Sequence, residues 1–270
     1  MNLHNEVAVL TGAASGIGRA TALALAQRGC HLALADIDAA GLAETAAAAA
    51  AHGVTVSQHV LDVASREAVA ALPAAVLAVH GRVSLLINNA GVAVGGTFEQ
   101  VSEADFDWLM GINFHGLVRM TRAFLPVLRQ QPVARIVNIS SVYGLIAPPG
   151  QTAYASAKFA VRGFSNALRH ELTGSTVGVT VVHPGGVATN IARRARLPAD
   201  APPAEVQAKL ALAEKMLRLS PDSAAATLVR GIESDSARVL VGGDAKFIAV
   251  LERLMPVRYW QVLARLLPAD

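Results

Sequence analysis

Short apolar runs alternate along this chain with longer segments whose apolar residues return every three or four positions. The runs at 7–10, 31–36, 54–61, 83–88, 135–140, 177–183 and 238–241 are too short for helices and rich in Val, Ile, Leu and Ala, as strands buried on both faces are. Between them the spacing is helical; from Ile17 to Arg28 the alanines and leucines keep that period. Strand and helix in alternation predict an α/β fold, with a parallel sheet covered on both sides. No linker or repeat interrupts the alternation, so residues 1–270 read as one domain.

Two stretches test this reading. Ala39 to Ala51 looks like low complexity, but alanine is the best helix former and Glu44 breaks the tract, which makes it a surface crossover helix. Ala68 to Val79 is apolar yet short, contains Pro73 and lies between Glu67 and His80, so it reads as a core helix.

Composition narrows the class of function. Of 270 residues 53% are apolar and 16% charged, enough for a substantial core. Strand one opens by residue 7, leaving no room for a secretory leader, and no run reaches about eighteen uninterrupted apolar residues. A cytoplasmic location follows as the expectation. The lone Cys30 excludes an intrachain disulfide, and its place beside strand two suits a small buried hydrophobe. A net charge of +3 is too mild to argue nucleic acid. Arg193, Arg194 and Arg196 cluster without the interleaved aromatics that stack bases, and read as solvated loop charge. No two of the eight histidines form a His-x-x-x-His pair, so no metal site is expected.

The chemistry-bearing motifs all fall at the carboxyl ends of strands, where such sheets bind ligands. Thr11-Gly-Ala-Ala-Ser-Gly-Ile-Gly18 joins strand one to a helix. Gly12, Gly16 and Gly18 let the chain turn and a pyrophosphate approach, while Ser15, Ile17 and their neighbours present helix N-terminal N–H groups. Asp36, eighteen positions on, stands where a carboxylate meets the adenosine ribose hydroxyls. It would repel a 2′-phosphate, and neither Ser15 nor Ile37 supplies a cation, which favours NAD over NADP. A helix-capping role competes for Asp36, and Asp38 competes for the cap. Asp62-Val63 closes strand three, where the carboxylate either meets the adenine amino group or caps a helix. Asn88-Asn89-Ala90-Gly91 ends strand four: its amides can brace the turn and its Ala-Gly pair leaves space for a ribose. After strand six, Pro184-Gly185-Gly186-Val187-Ala188-Thr189 turns sharply and exposes backbone groups for a carboxamide.

Tyr154 and Lys158 stand four residues apart on one helix and share a face. A free phenol, with pKa about 10, is a poor base near neutrality. The lysine ammonium, together with a positive nicotinamide ring, would favour phenolate and lower that pKa. Tyr154 could then take the hydroxyl proton of a secondary alcohol while hydride leaves carbon for the nicotinamide, and Ser141, thirteen residues ahead, would donate to the same oxygen.

In order, Thr11, Gly12, Gly16 and Gly18, then Asn88 to Gly91, Asn113 with Gly116, Ser141, Tyr154 with Lys158, and Pro184-Gly185 match the motifs of the short-chain dehydrogenase/reductase family, which this chain resembles from residue 7 to about 190. The resemblance implies a doubly wound Rossmann sheet of seven strands, a homotetramer or homodimer, and nicotinamide-dependent interconversion of alcohols and ketones. It also implies that Asn113 holds a water that relays protons to Lys158. A methyltransferase of similar topology would have no use for Tyr154 and Lys158. The alternatives are an NADP-dependent 3-ketoacyl-carrier reductase and a catalytically silent dinucleotide-binding regulator.

The substrate side is lined by apolar residues: Val142 to Pro148 after Ser141, then Val92, Val94 and Phe98. A substrate loop is expected over residues 190–219, carrying Ile191, the arginines, Pro198, Pro202 and Pro203, then a helix with Leu210, Leu212, Met216 and Leu217. An apolar alcohol or ketone is the expected substrate; the arginines offer the alternative of a carboxylate or carrier-bound acyl group. Residues 245–267 form an amphipathic helical tail broken by Pro256, with Arg253, Arg258 and Arg265. It either packs on the substrate lobe or a neighbouring subunit, or lies on a membrane surface.

Overall fold

The computed structural model describes residues 1–198, 207, 211 and 215–266. Seven strands, β1 (Val7–Thr11), β2 (His31–Asp36), β3 (Val56–Val60), β4 (Leu85–Asn88), β5 (Ala134–Ile139), β6 (Val177–Pro184) and β7 (Arg238–Val241), form one sheet in the order β3-β2-β1-β4-β5-β6-β7. Every neighbouring pair is parallel. The strand order reverses between β1 and β4, which opens a crevice at their carboxyl ends.

Helices α1 (Gly16–Ala26), α2 (Ala39–Ala50) and α7 (Pro221–Glu233) cover one face, over a core built around Leu10, Leu25, Leu34 and Leu228. Helices α3 (Arg66–His80), α5 (Leu117–Leu128) and α6 (Thr152–Glu171) cover the other, over Val9, Leu86, Met120 and Phe124. The doubly wound Rossmann architecture anticipated from the motifs is thus present, with α8 (Gly243–Leu254) and α9 (Tyr259–Leu266) as its C-terminal extension. Among the described residues no helix is long and apolar enough to cross a membrane.

Strand β3 is shorter than the apolar run 54–61, because it lies at the sheet edge with β2 as its one partner. Its flanks still engage β2 singly, Leu32 N–H donating to the Thr55 carbonyl and Leu61 N–H to that of Asp36. Helix α3 corrects the expectation of a core helix: it buries Val69, Leu72 and Val76 alone, and Val79 is exposed. An alanine-rich face adds little apolar area to water, so one stripe suffices to dock it. Cys30 is the buried hydrophobe expected of it, and burial pushes its thiol up to about 12.

A buried polar chain fixes the middle of the sheet to the helices above it. Asn88 Nδ2 donates to Thr121 Oγ1 at 3.1 Å and to Asn138 Oδ1 at 2.9 Å; Asn138 Nδ2 donates to Ser165 Oγ at 2.9 Å. Ser165 Oγ in turn donates to the Val161 carbonyl at 2.7 Å. Strands β4 and β5 and helices α5 and α6 are thereby tied below the crevice. Replacing Asn138 by leucine strands an Asn88 N–H and the Ser165 hydroxyl's second bond. Each buried unsatisfied group costs about 1–3 kcal/mol. Asn138→Leu is therefore expected to lower the free energy of urea unfolding by a few kcal/mol; an unchanged unfolding midpoint would contradict the bracing role.

Candidate active site

The glycine loop leaves β1 and enters α1. Gly12 and Gly16 have φ of 68° and 54°, a left-handed backbone that side chains resist. Space is equally restrictive: a Cβ at Gly12 would lie 2.8 Å from Ala90 Cα, and one at Gly18 would run into the Gly12 carbonyl. A Cβ at Gly16 would come 3.1 Å from Thr189 Cγ2, which brings the turn after β6 against the loop. Helices α2 and α3 are capped by the side chains of Asp38 and Ser65. Ser15, at the N-cap of α1, makes no such bond. The first N–H groups of α1, from Gly16, Ile17 and Gly18, are therefore left for an anion, which is what a pyrophosphate requires.

Strand four's motif braces this loop. Thr11 Oγ1 accepts the N–H of Asn89 at 3.0 Å and of Ala90 at 3.1 Å, while Asn89 Nδ2 donates to the carbonyls of Thr11 and Gly12, both at 3.0 Å. Asp36 Oδ2 accepts from Ala14 N–H at 2.8 Å and Oδ1 from Asp38 N–H at 3.0 Å. The cap of α2 belongs to Asp38, which accepts from Gly41 N–H. The competition between the two aspartates is thereby resolved: Asp36 fixes the loop's outer edge and keeps lone pairs for a ligand. Asp62 stands beyond β3, two strands further out. Its exposed carboxylate accepts from Ala64 N–H at 2.8 Å, and Ser65 takes the helix cap. Its neighbour Val63 is buried, and a Cβ at Gly116 would come 2.7 Å from Val63 Cγ2.

On the other side of the crevice, α6 carries Tyr154 and Lys158. Lys158 is buried; its Nζ donates to the Ile139 carbonyl at 3.1 Å and lies 5.5 Å from the centroid of the Tyr154 ring. Burial pulls its ammonium down to about 8. The Tyr154 phenol is pushed up to about 12 by burial, against a hydrogen bond with the Ser141 side chain that lowers it, and with neighbouring Tyr143 raising it. Within the protein alone, desolvation of the phenolate outweighs the Ser141 contact; the lowering expected from the lysine together with a positive ring concerns the occupied site. Tyr143 meets Tyr154 edge-on, with centroids 6.1 Å apart and planes at 86°.

Between α4 (Glu103–Met110) and α5 the chain passes through a π-helical turn, Gly111–Gly116, which holds Asn113. Asn113 Oδ1 accepts from Val92 N–H at 2.8 Å and Nδ2 donates to the Val92 carbonyl at 2.9 Å. Both side-chain atoms are thus committed, and the asparagine acts as a clamp on the segment after Gly91. A Cβ at Gly91 would sit 3.2 Å from Asn113 Oδ1 and 3.6 Å from Lys158 Nζ. The glycine keeps this passage between the dinucleotide end and the lysine open.

Beyond β6, Gly185 N–H donates to the Val241 carbonyl, and Val187 bridges to Leu219. Asp244, at the start of α8, accepts from Gly186 N–H at 2.6 Å and so anchors the Pro184-Gly185 turn. Nothing near Asp244 in the chain marks it for this. His183, buried just before the turn, holds the Ser141 carbonyl through Nδ1 at 2.9 Å.

The substrate side is partly as anticipated. Val94, Leu109, Ala153 and Ala157 form a small apolar cluster, with Val92 and Tyr154 packed on it. Leu145 and Ile146 are buried, whereas Phe98 is 71% exposed and lines nothing. The arginine cluster is not simply solvated. Arg196 lies 3.6 Å over the Trp108 ring and 2.9 Å from Asp105 Oδ1, and its backbone pairs with Val94. Trp108 and Asp105 lie one turn apart on α4, a platform that neither residue advertises alone. Leu210, Leu212, Pro202 and Pro203 lie outside the described residues, as does Leu267 of the tail. The tail's Tyr259 hydroxyl accepts from Ala147 N–H at 3.0 Å, so α9 packs on the substrate lobe.

Comparison with known proteins agrees with this geometry. The family model described as short chain dehydrogenase matches residues 6–199. SadH of Mycobacterium tuberculosis, whose name assigns it to the oxidoreductases, is 45% identical over 265 residues, 97% of this chain and 95% of its own length. The 3-oxoacyl-acyl-carrier-protein reductase FabG of Thermotoga maritima is 35% identical over 189 residues, 70% of this chain and 77% of its own. A short chain dehydrogenase/reductase from Burkholderia phymatum, solved in complex with NAD, superposes with a TM-score of 0.87 at 32% identity over 95% of each chain. The glycine loop, the clamped asparagine and the serine, tyrosine and lysine around one crevice have the same explanation as these likenesses: the chain belongs to the short-chain dehydrogenase/reductase family.

Proposed function

We propose that the protein is an NAD-dependent oxidoreductase that interconverts a secondary alcohol and a ketone on an apolar substrate. The observation that carries this reading is the Tyr154 ring, 5.5 Å from the buried Lys158 ammonium and beside Ser141, at the strand ends that also hold the glycine loop. Gly12, Ser15, Gly16, Ile17 and Gly18 would hold the pyrophosphate, and Asp36 the adenosine ribose. Asp62, Val63, Asn89, Ala90 and Gly91 would line the adenosine half, with Pro184, Gly185, Val187 and Thr189 against the nicotinamide. The nicotinamide supplies a hydride acceptor or donor and, when oxidised, a positive ring.

The chain's own groups do the rest. In oxidation, Tyr154 takes the proton of the substrate hydroxyl as the carbon–hydrogen pair of electrons departs; in reduction it returns that proton to the ketone oxygen. Ser141 donates to the same oxygen. Lys158 favours the phenolate by charge, and Asn113, whose side chain also holds Val92, would hold a water that relays protons to the lysine. Because burial raises the phenol, further positive charge near Tyr154, as an oxidised ring would bring, favours base catalysis.

The Burkholderia relative with NAD supports the cofactor assignment, as does the carboxylate of Asp36. The reading of a carrier-linked 3-ketoacyl reductase is favoured by likeness to FabG, and opposed by Arg196, whose charge is already spent on Asp105 and Trp108. A silent regulator would have no need of the buried lysine. We further read the protein as a cytoplasmic homotetramer or homodimer, because α8 and the segment after it leave Phe247, Val250, Leu254 and Val257 more than half exposed. Packing of α9 through Tyr259 speaks against use of the tail as a membrane anchor.

Three outcomes are expected. Tyr154→Phe should lose about 10²–10⁴ in kcat, the usual worth of a positioned acid–base group, while NADH fluorescence titration stays unchanged; retained turnover would refute the mechanism. NADH should bind at least about tenfold tighter than NADPH, a gap of about 1.4 kcal/mol, and Asp36→Ala should narrow it.

The third concerns Lys158, whose folded pKa of about 8 lies below the ordinary 10.5. Between those values the unfolded chain keeps its proton and the folded one has lost it, so the lysine's contribution to stability rises with pH. Measured by urea unfolding, wild type should therefore gain on Lys158→Met from about pH 8 to 10.5, by up to about 3 kcal/mol. Lys158→Met should be the more stable near pH 7 and inactive. An advantage of Lys158→Met that stays constant or grows as pH rises would contradict the buried ammonium.

A further inference from the structure

Behind the catalytic turn, on the side away from the glycine loop, the molecule holds a second polar hollow. Arg162, Asn166 and Arg169 follow one another at i, i+4 and i+7 on α6 and so share a face. That face, with His183 of β6 and Arg238 at the start of β7, lines a cavity of about 250 Å³. By the share of about 30 Å³ that a water takes in the liquid, this is room for a tetrahedral ion and several waters.

Its charge is not balanced. Among the described residues no carboxylate stands within ion-pair distance of Arg162, Arg169 or Arg238. Arg162 reaches the Gly144 carbonyl at 3.3 Å and Arg169 reaches Asn166 Oδ1 at 3.1 Å, while among the described residues the Arg238 side chain makes no hydrogen bond. Glu252 acts on Arg238 only through space, and Arg162 and Arg253 oppose it; burial and Arg162's charge together pull the Arg238 guanidinium down from its usual range.

His183 adds the discriminating group. It is fully buried, and Nδ1 faces the Ser141 carbonyl at 2.9 Å, so Nδ1 carries the proton and Nε2 is a bare acceptor. Nε2 makes no hydrogen bond. Burial, with Arg238 and Arg162 nearby, pulls the ring down to about 4, which keeps it neutral at any ordinary pH. The hollow thus offers many cationic N–H donors and one buried lone pair that needs a donor. Sulfate, carboxylates and phosphodiesters satisfy the donors and leave the lone pair facing an oxygen. Inorganic phosphate satisfies both, because its two ionic forms near neutrality each keep a P–OH.

We propose that Arg162, Asn166, Arg169, Arg238 and His183 form a binding site for inorganic hydrogen phosphate, the P–OH donating to His183 Nε2 and the remaining oxygens accepting from the three guanidiniums. The site adjoins the active site without belonging to it: Arg162 holds Gly144 and His183 holds Ser141, two carbonyls of the same turn.

The test is titration calorimetry on the full chain saturated with NAD, so that the glycine loop is already filled, at fixed ionic strength near pH 7.5. Sodium phosphate is expected to bind with a Kd at or below about 1 mM, and sodium sulfate at least tenfold more weakly. Arg238→Gln, at an exposed strand end and with no side-chain hydrogen bond among the described residues, should lose at least tenfold in phosphate affinity with turnover unchanged. Arg169→Gln, checked for folding by its thermal melt, should lose as much. Equal affinity for phosphate and sulfate would overturn the proposal, leaving unspecific attraction. No phosphate binding by wild type would overturn it too, as would a fall in oligomer mass on Arg238→Gln without loss of phosphate affinity, which would hand the arginines to a carboxylate of a second copy.

Discussion

One ammonium group in the interior governs how this site is built. Lys158 Nζ is taken out of water and given a single main-chain acceptor, the Ile139 carbonyl, at the end of β5. That exchange is unfavourable, as the fall of its pKa to about 8 records. The rest of the structure must therefore hold the lysine in place. The polar chain from Asn88 through Asn138 to Ser165 does so from below, by locking α6 to β4 and β5. From above, Asn113 clamps the segment after Gly91 and stops it from collapsing onto the lysine. Stability is spent to keep a charge beside a phenol, the usual bargain of an active site.

The same burial raises the phenol, and the two shifts are complementary. Tyr154 at about 12 and Lys158 at about 8 share one desolvated pocket, in which phenolate is costly and ammonium is costly. A pair of opposite charges is cheaper there than either alone, because the Coulomb attraction grows as the dielectric falls. In the proposed reaction the positive ring of an oxidised nicotinamide would shift this balance further, coupling proton transfer at Tyr154 to the presence of the group that takes the hydride.

The substrate half is assembled differently from the dinucleotide half. Glycines and a bracing threonine make the loop, all within one strand–turn–helix unit and its neighbour β4. The opposite wall is gathered from remote segments: the loop residues around Arg196 on α4, Tyr259 of α9 on Ala147, and Asp244 of α8 under the Gly186 turn. This wall thus rests on contacts between segments far apart in the chain, where the glycine loop rests on neighbours.

What the chain's residues determined by themselves was the order of strands and helices, the glycine loop, and the identity of Ser141, Tyr154 and Lys158, because each depends on spacing over a few residues or on the chemistry a residue type can perform. Asp36 was legible as a carboxylate at the end of β2, where it holds the Ala14 N–H of the glycine loop. Folding decided the rest. Asp244 and Gly186 are 58 positions apart, and Tyr259 and Ala147 are 112 apart; nothing local in either partner announces the other. The exposed alanine face of α3 and the paired state of Arg196 were read differently from the sequence, and burial of the Tyr154 phenol was not read at all. Each is set by how much water the packed structure leaves around a group, and solvent exclusion is a property of the assembled interior that no stretch of chain possesses alone.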